Sequence, residues 1–389
     1  MMSFRDRCAC LLLACLAAWP AADLQAAERL VWFGTYTRGP DGSRGIYVSR
    51  FDDAKGTLSE PVLAAEAKNP SFLAFHPKLP RLYAVSEIYD AGGQPTGGVI
   101  AFAIDEATGQ LTTINEQPSG GAGPCHVSVD PTGRVVLAAN YGGGSVICLG
   151  LEADGRLRPV VTGTPGGFLQ HEGKSVNEKR QEKPHGHSID PTPDGRFAIS
   201  CDLGIDKVLV HALDVERATL APHRFGTVKP GAGPRHFALH PSGRFGYACN
   251  ELDLTVTGFA FDPAAGTLTE FQTLSTLPAD VTDLTGLSTA EIVIHPNGKF
   301  LYVSNRGHQS IAMFSLDDST GKLTFLGTEP IRGKTPRNFA LDPTGKFLLA
   351  AGMDSNTVTV FAIDQATGRL TFTGTSLDVP VPVCIRFRP

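Results

Sequence analysis

The sequence predicts an all-β protein: a seven-bladed β-propeller of four-stranded antiparallel sheets, closed by pairing the C-terminal strand with the N-terminal strands. Three observations predict it. Turn formers are abundant, with 43 Gly and 28 Pro in 389 residues, beside an apolar content of 42%, the balance of a turn-rich β protein with a real core. A single unit recurs along the chain: an apolar strand, His-Pro or Asp-Pro, a turn with Gly and usually a basic residue, and a second apolar strand. The last copy breaks off after one strand, while the N-terminal region opens on what reads as a second strand.

Counted by the residue before the proline, the copies fall at His76, Asp130, Asp190, His240, His295, Asp342 and Arg388, successive copies lying 46 to 60 residues apart. That is the length of a four-stranded blade with its loops. Turns of the form Asp-x-x-x-Gly-x-Leu (Asp105–Leu111, Asp262–Leu268, Asp364–Leu370) are expected to join the third and fourth strands. Val383–Phe387 is then the innermost strand of a blade whose second strand lies in Leu30–Tyr36 and whose third is Gly45–Phe51. This closure removes open sheet edges.

The N-terminus reads as an export signal. Arg5 and Arg7 precede an apolar run from Cys8 to Trp19, and cleavage is expected after Ala26; a lipid anchor at Cys15 is the alternative. The mature chain is thus expected to form one propeller domain over 27–389, exported to the periplasm, monomeric and without a membrane span. Five cysteines remain after cleavage, at 125, 148, 201, 249 and 384, too odd and scattered for a disulfide framework, so buried free thiols are expected. No Cys-x-x-Cys zinc pair occurs. A formal charge of −5 without a basic stripe argues against a nucleic-acid partner. Neither a Gly-x-Ser-x-Gly nucleophile elbow nor a phosphate-binding glycine loop is present.

Within each repeat the turn glycine lies about three residues past the reference position. Positions −5 and +11 are equidistant from it, so they share one level at the open end of the innermost hairpin. Position −5 collects Ser71, Cys125, His185, Arg235, Ala290 and Arg337. Position −4 collects Phe72, His126, Gly186, His236, Glu291 and Asn338. Position +11 collects Glu87, Tyr141, Asp202 (counting one extra turn residue in the third repeat), Glu251, Arg306 and Met353. Ionisable groups are rarely buried unpaired, so this clustering predicts a charged channel mouth. The opposite rim, made of the Pro-x-Gly-Arg/Lys turns, reads as structural. A polar insertion from Phe168 to His187 reaches the same mouth; His185 and His187 are its stronger candidates, His171, Lys174 and Arg180 its weaker ones.

These residues carry a resemblance. Gly34-Thr-Tyr-Thr37, Asn69-Pro-Ser71, Ala139-Asn-Tyr141-Gly-Gly-Gly, Pro184-His-x-His187, Gly231-Ala-Gly-Pro-Arg-His236, Asn250-Glu-Leu252, Ser288-Thr-Ala-Glu291 and Ser304-Asn-Arg306 together resemble the bacterial 6-phosphogluconolactonases of the propeller type. A fungal carboxy-cis,cis-muconate cyclase is related to them. The resemblance implies lactone opening by water. From the cyclase, it implies an active site of a His (His185 or His187), Arg235, Arg306 and Glu251. His126, Tyr141, Asp202, His236, Glu291 and Arg337 are expected to bind substrate, a small-molecule lactone, with no metal or other cofactor. The expected substrate is 6-phospho-D-glucono-1,5-lactone or a related aldonolactone; the export signal fits poorly with a cytosolic phosphorylated sugar and brings in an unphosphorylated aldonolactone or another periplasmic lactone. A non-catalytic ligand-binding propeller and a muconate-type cycloisomerase are the alternative readings.

Overall fold

The computed structural model describes residues 28–37, 42–159 and 166–388. The expected export signal, with Cys8, Cys10 and Cys15, lies outside the described residues. The described strands form seven antiparallel sheets. Six run in chain order from an inner to an outer strand; the fourth is Pro234–Leu239, Phe245–Asn250, Thr255–Asp262 and Thr267–Ser275. Each inner strand touches the inner strand of the next sheet, and Pro382–Phe387 touches Leu73–Phe75, so the ring closes.

Closure takes place within one antiparallel sheet built from both ends of the chain. Pro382–Phe387 pairs with Glu28–Thr35, which pairs with Gly45–Asp52; the registers Val31↔Phe387 and Phe33↔Ile385 place Val31, Phe33 and Ile385 in one buried face of the seam, and Trp32 and Cys384 are buried on the other. The outer edge of this blade is divided between Thr57–Leu58 and Val62–Glu66.

Alternation along each strand sends apolar residues into the spaces between neighbouring sheets, where the core lies. Repeated clasps cross those spaces. Trp32 Nε1 donates to the Gly109 carbonyl at 2.9 Å, and the Tyr83, Tyr247 and Tyr302 hydroxyls donate to the carbonyls of Gly155, Gly321 and Gly368 at 2.6–2.9 Å. Each acceptor glycine belongs to the turn of the next blade, which fixes blade spacing at about 1 kcal/mol per bond.

The proline turns link neighbouring blades as well. His76, His240 and His295 each place Nε2 2.8–3.1 Å from the carbonyl of Gly133, Gly298 and Gly345 respectively. Gly133 has φ +75°, and a Cβ there would sit 2.4 Å from the His76 ring, so both conformation and close approach demand glycine. The Asp-x-x-x-Gly turns form as expected. In one of them, Asp105 Oδ1 accepts from the Ala107 and Thr108 amides while the Gly109 amide donates to the Asp105 carbonyl. Five cysteines are free and buried, as expected.

The third repeat differs from the expected register. Its turn is Thr192-Pro193-Asp194-Gly195, closed by the Gly195 amide on the Thr192 carbonyl at 2.8 Å; Asp190 and Pro191 remain in the inner strand. The true reference residue is therefore Thr192. Its hydroxyl and the Phe197 backbone take the part that an Asp side chain plays in the turns at Asp130 and Asp342.

Candidate active site

A β-bulge recurs near the start of the inner strand and builds the site. Pro234 pairs with Asn250 and His236 with Cys249, which leaves Arg235 as the extra residue. The same step leaves Cys125, His187 and Arg337 unpaired in the second, third and sixth blades. A bulge turns the extra side chain away from the ladder, here toward the channel. The second element is the residue after the buried end of the second strand: Glu87, Tyr141, Glu251 and Arg306 follow Ser86, Asn140, Asn250 and Asn305. Asn140 and Asn305 are buried there and donate to the carbonyls of Ser119 and Thr276. They pin the strand ends that aim the next side chain.

Together these positions line a cavity of about 360 Å³ that holds Tyr36, Glu87, Cys125, Tyr141, Arg180, His187, Glu251, Arg306 and Arg337. Glu251 is its hub. Oε2 accepts from Arg235 Nε at 3.0 Å and lies 2.9 Å from Arg306 Nη2, while Oε1 accepts from Arg180 Nη2 at 2.6 Å. Nε2 of His187 is 4.0 Å from Glu251 Oε2. Arg180 Nη2 also donates to the Tyr141 hydroxyl at 3.1 Å. Across the mouth, Glu87 accepts from the Tyr36 and Ser71 hydroxyls, and the Arg337 guanidinium lies 5.4 Å from the Tyr36 ring centre.

Burial opposes ionisation of Glu251. The Arg306, Arg235 and Arg180 guanidinium groups overcome it and hold the carboxyl well below the usual carboxylate range. His187 is shifted down strongly, by burial and then by Arg235, His236 and Arg337, so its imidazole is neutral near pH 7. Burial also pushes Arg306 down to about 10, against the pull of Glu251. Burial and the nearby Glu87 push the Cys125 thiol up to about 12, which removes it as a thiolate nucleophile. Four arginines (180, 235, 306, 337) face two carboxylates (87, 251), so the pocket is biased toward anions.

The expected site residues separate into groups. Arg306, Glu251, His187, Tyr141 and Arg337 meet at the cavity, with Arg235 directly behind Glu251 at 2% exposure. His185 is not among the cavity residues: its ring stacks behind Tyr141 at 4.6 Å, with Nδ1 3.0 Å from the Tyr141 carbonyl and Nε2 near Glu182. The misplaced third turn explains this, because aligning on Gly195 rather than on Asp190 puts His187 level with Arg235. The same realignment moves Asp202 to the buried asparagine position. There it accepts from the His185 and Gly204 amides and lies 2.7 Å from His171 Nδ1, away from the cavity. His126, His236 and Glu291 line a separate cavity of about 650 Å³ with Phe72, Asp190 and Arg386, one level deeper in the channel.

Sequence reasoning undervalued two cavity residues. Tyr36 occupies in the seventh blade the position that Glu251 has in the fourth, a correspondence hidden because that blade is split between the chain ends. Arg180 belongs to no repeat. The insertion that carries it is tied down by buried Gln181, whose amide donates to the Leu203 carbonyl and to Asp206 Oδ1 at 2.8 Å each. Lys174 stays exposed outside the cavity.

Comparison with known proteins agrees with this architecture. The family model of the seven-bladed β-propeller lactonases matches residues 30–387. A 6-phosphogluconolactonase of Bacillus subtilis is 40% identical over 357 residues, covering 92% of this chain and 97% of its own. One from Formosa agariphila is 34% identical over 320 residues, covering 80% and 85%. Among solved structures, a periplasmic gluconolactonase of Pseudomonas aeruginosa superposes with a TM-score of 0.84 at 32% identity, covering 93% of this chain and 99% of its own.

Proposed function

From the premise that the chain belongs to the seven-bladed β-propeller lactonases, we propose that it opens a sugar lactone with water at the Glu251 cavity. The observation that carries the reading is a neutral, buried imidazole beside a carboxylate held by three guanidinium groups. His187 is the general base. Its Nδ1, 3.6 Å from Cys125 Sγ, carries the proton in the tautomer that leaves Nε2 as an acceptor. Water bound at Nε2 loses a proton to His187 as its oxygen attacks the lactone carbonyl. The imidazolium so formed is stabilised by Glu251. Arg306 and Arg337 receive the charge that develops on the carbonyl oxygen. The ring C–O bond then breaks and the proton passes from His187 to the ring oxygen, leaving a hydroxy acid. Glu251, whose proton affinity is suppressed by its arginines, serves as an anchor rather than as the base.

The surplus of cationic groups supports an acid product, held as its carboxylate. The reading of an N-terminal export signal, together with a periplasmic gluconolactonase among the structural neighbours, supports an unphosphorylated aldonolactone met outside the cytoplasm by a monomeric enzyme. Among the described residues no helix is long and apolar enough to cross a membrane. The test is acid release in a pH-stat over a panel of aldonolactones, each with and without a 6-phosphate. Turnover of the unphosphorylated lactones is expected; tight binding of a sugar acid with no acceleration of opening would favour a binding propeller instead.

A further inference from the structure

His236 and Glu291 were expected at the substrate, yet both face the deeper cavity and are about 4% exposed. They make a chain of contacts to the back of Arg235. Arg235 Nη1 lies 3.0 Å from His236 Nε2 and donates to the Ala290 carbonyl at 2.5 Å, while its Nε holds Glu251. On the far side, His236 Nδ1 is 2.8 Å from Glu291 Oε1. The other oxygen of Glu291 accepts from Asn338 Nδ2, and the Ile292 amide donates to Oε1.

Only one protonation pattern satisfies every contact. A guanidinium can only donate, so His236 Nε2 must carry the lone pair, and Nδ1 must carry the hydrogen that Glu291 accepts. Glu291 therefore chooses the tautomer, and the tautomer creates the acceptor that orients Arg235. The charged and titratable groups around the His236 ring are Glu291, Arg235 and Arg386, with the His126 and His187 rings each 5.3 Å away.

We propose that the Glu291–His236 pair is a positioning unit for the lactonase site, fixing Arg235 so that Glu251 stays aligned between Arg306 and His187. The inference rests on the reading of that site given above. Such an arrangement parallels the carboxylate–histidine pairs that orient metal ligands, with a guanidinium in place of the metal.

Three variants of the full chain test it. His236→Leu removes the acceptor, and kcat for gluconolactone should fall about 10- to 100-fold, the range for lost orienting partners of metal ligands, with KM within about twofold of wild type. His236→Gln returns an acceptor oxygen near the Nε2 position and should recover most of the loss. Glu291→Gln keeps His236 but puts an amide N–H against either Asn338 or His236, so the same fall in kcat is expected; this variant decides the matter if the leucine protein does not fold.

A readout without lactone accompanies them: the His187 titration followed by NMR should move up toward its ordinary value in Glu291→Gln, which keeps the His236 ring that itself acts on His187, as Arg235 loses its fixed place. Wild-type kcat in His236→Leu or Glu291→Gln with an unmoved His187 titration, or the absence of rescue by glutamine, overturns the positioning unit. If the wild-type protein opens no lactone, the functional reading fails, and the His187 titration still decides the positioning claim.

Discussion

Replacing Glu251 with Gln tests stability and chemistry together. Glu251 is 5% exposed and faces Arg235 at 2%, Arg306 at 16% and Arg180 at 40% side-chain exposure. The first two guanidinium groups are buried; the Arg180 contact is screened by solvent and adds little. Breaking a buried pair by removing one partner costs about 3–5 kcal/mol, and glutamine keeps one acceptor oxygen, so the expected loss is about 3 kcal/mol in urea unfolding at pH 7. The pH dependence has a definite sign. A carboxyl whose folded pKa is depressed adds stability above its unfolded pKa of about 4.3, and that stability is lost as pH falls toward the folded value. The gap between wild type and variant should therefore be full at pH 7 and begin to close only below about pH 4. Catalysis suffers separately. A unit charge 4 Å from the His187 imidazolium is worth about 4 kcal/mol at an effective dielectric of 20, so kcat should fall by up to about 1,000-fold. A stability loss below about 1 kcal/mol at pH 7, or a kcat within tenfold of wild type, would refute the description of Glu251 as the charged hub.

Four further outcomes are expected. Arg306→Ala should lower kcat/KM by about 3–4 kcal/mol, the worth of one oxyanion donor, as read by initial rates in the pH-stat. Because His187 is held well below 6.5, kcat/KM should stay level as pH is lowered from 7 past 6, and an acid limb centred near 6.5 would contradict its assignment as the base. In Gly204→Ala the new Cβ would lie 1.9 Å from the Lys183 carbonyl, so the segment between Arg180 and His187 must shift; a loss of about 1–3 kcal/mol in stability with a larger proportional loss of activity is expected. Truncation before Pro382 exposes the edge of the Glu28–Thr35 strand, and size-exclusion chromatography should show aggregate in place of the discrete peak of the intact protein.

Fold and closure were legible in the sequence because each blade repeats the same local chemistry. A proline turn, a glycine that needs positive φ, and Asp-x-x-x-Gly bends recur at one period, and the interrupted last copy matches the opening strand. Site residues borne on the repeat, such as Arg235, Glu251 and Arg306, were legible for the same reason. The His185 and Asp202 placements failed where the third blade breaks the pattern: Asp190-Pro191 imitates the turn, while Thr192-Pro193 forms it. Depth was also hidden. Neighbouring positions on one strand, Arg235 and His236, serve different cavities, because the bulge at Arg235 sends its side chain toward the upper level while His236 stays in the ladder below. Arg180 could not be found by repeat logic at all, since tertiary contacts such as those of Gln181 and Ser175 bring its insertion to the mouth.

The most direct measurement is the rate of gluconolactone opening by His187→Gln, followed by acid release with the spontaneous rate subtracted, on protein shown by circular dichroism to keep its β structure. A fall of about 10²–10⁴ in kcat is predicted, the range for a lost general base, with gluconate still bound. A rate equal to that of the unsubstituted protein would contradict the central claim that the neutral imidazole beside the arginine-held carboxylate activates water.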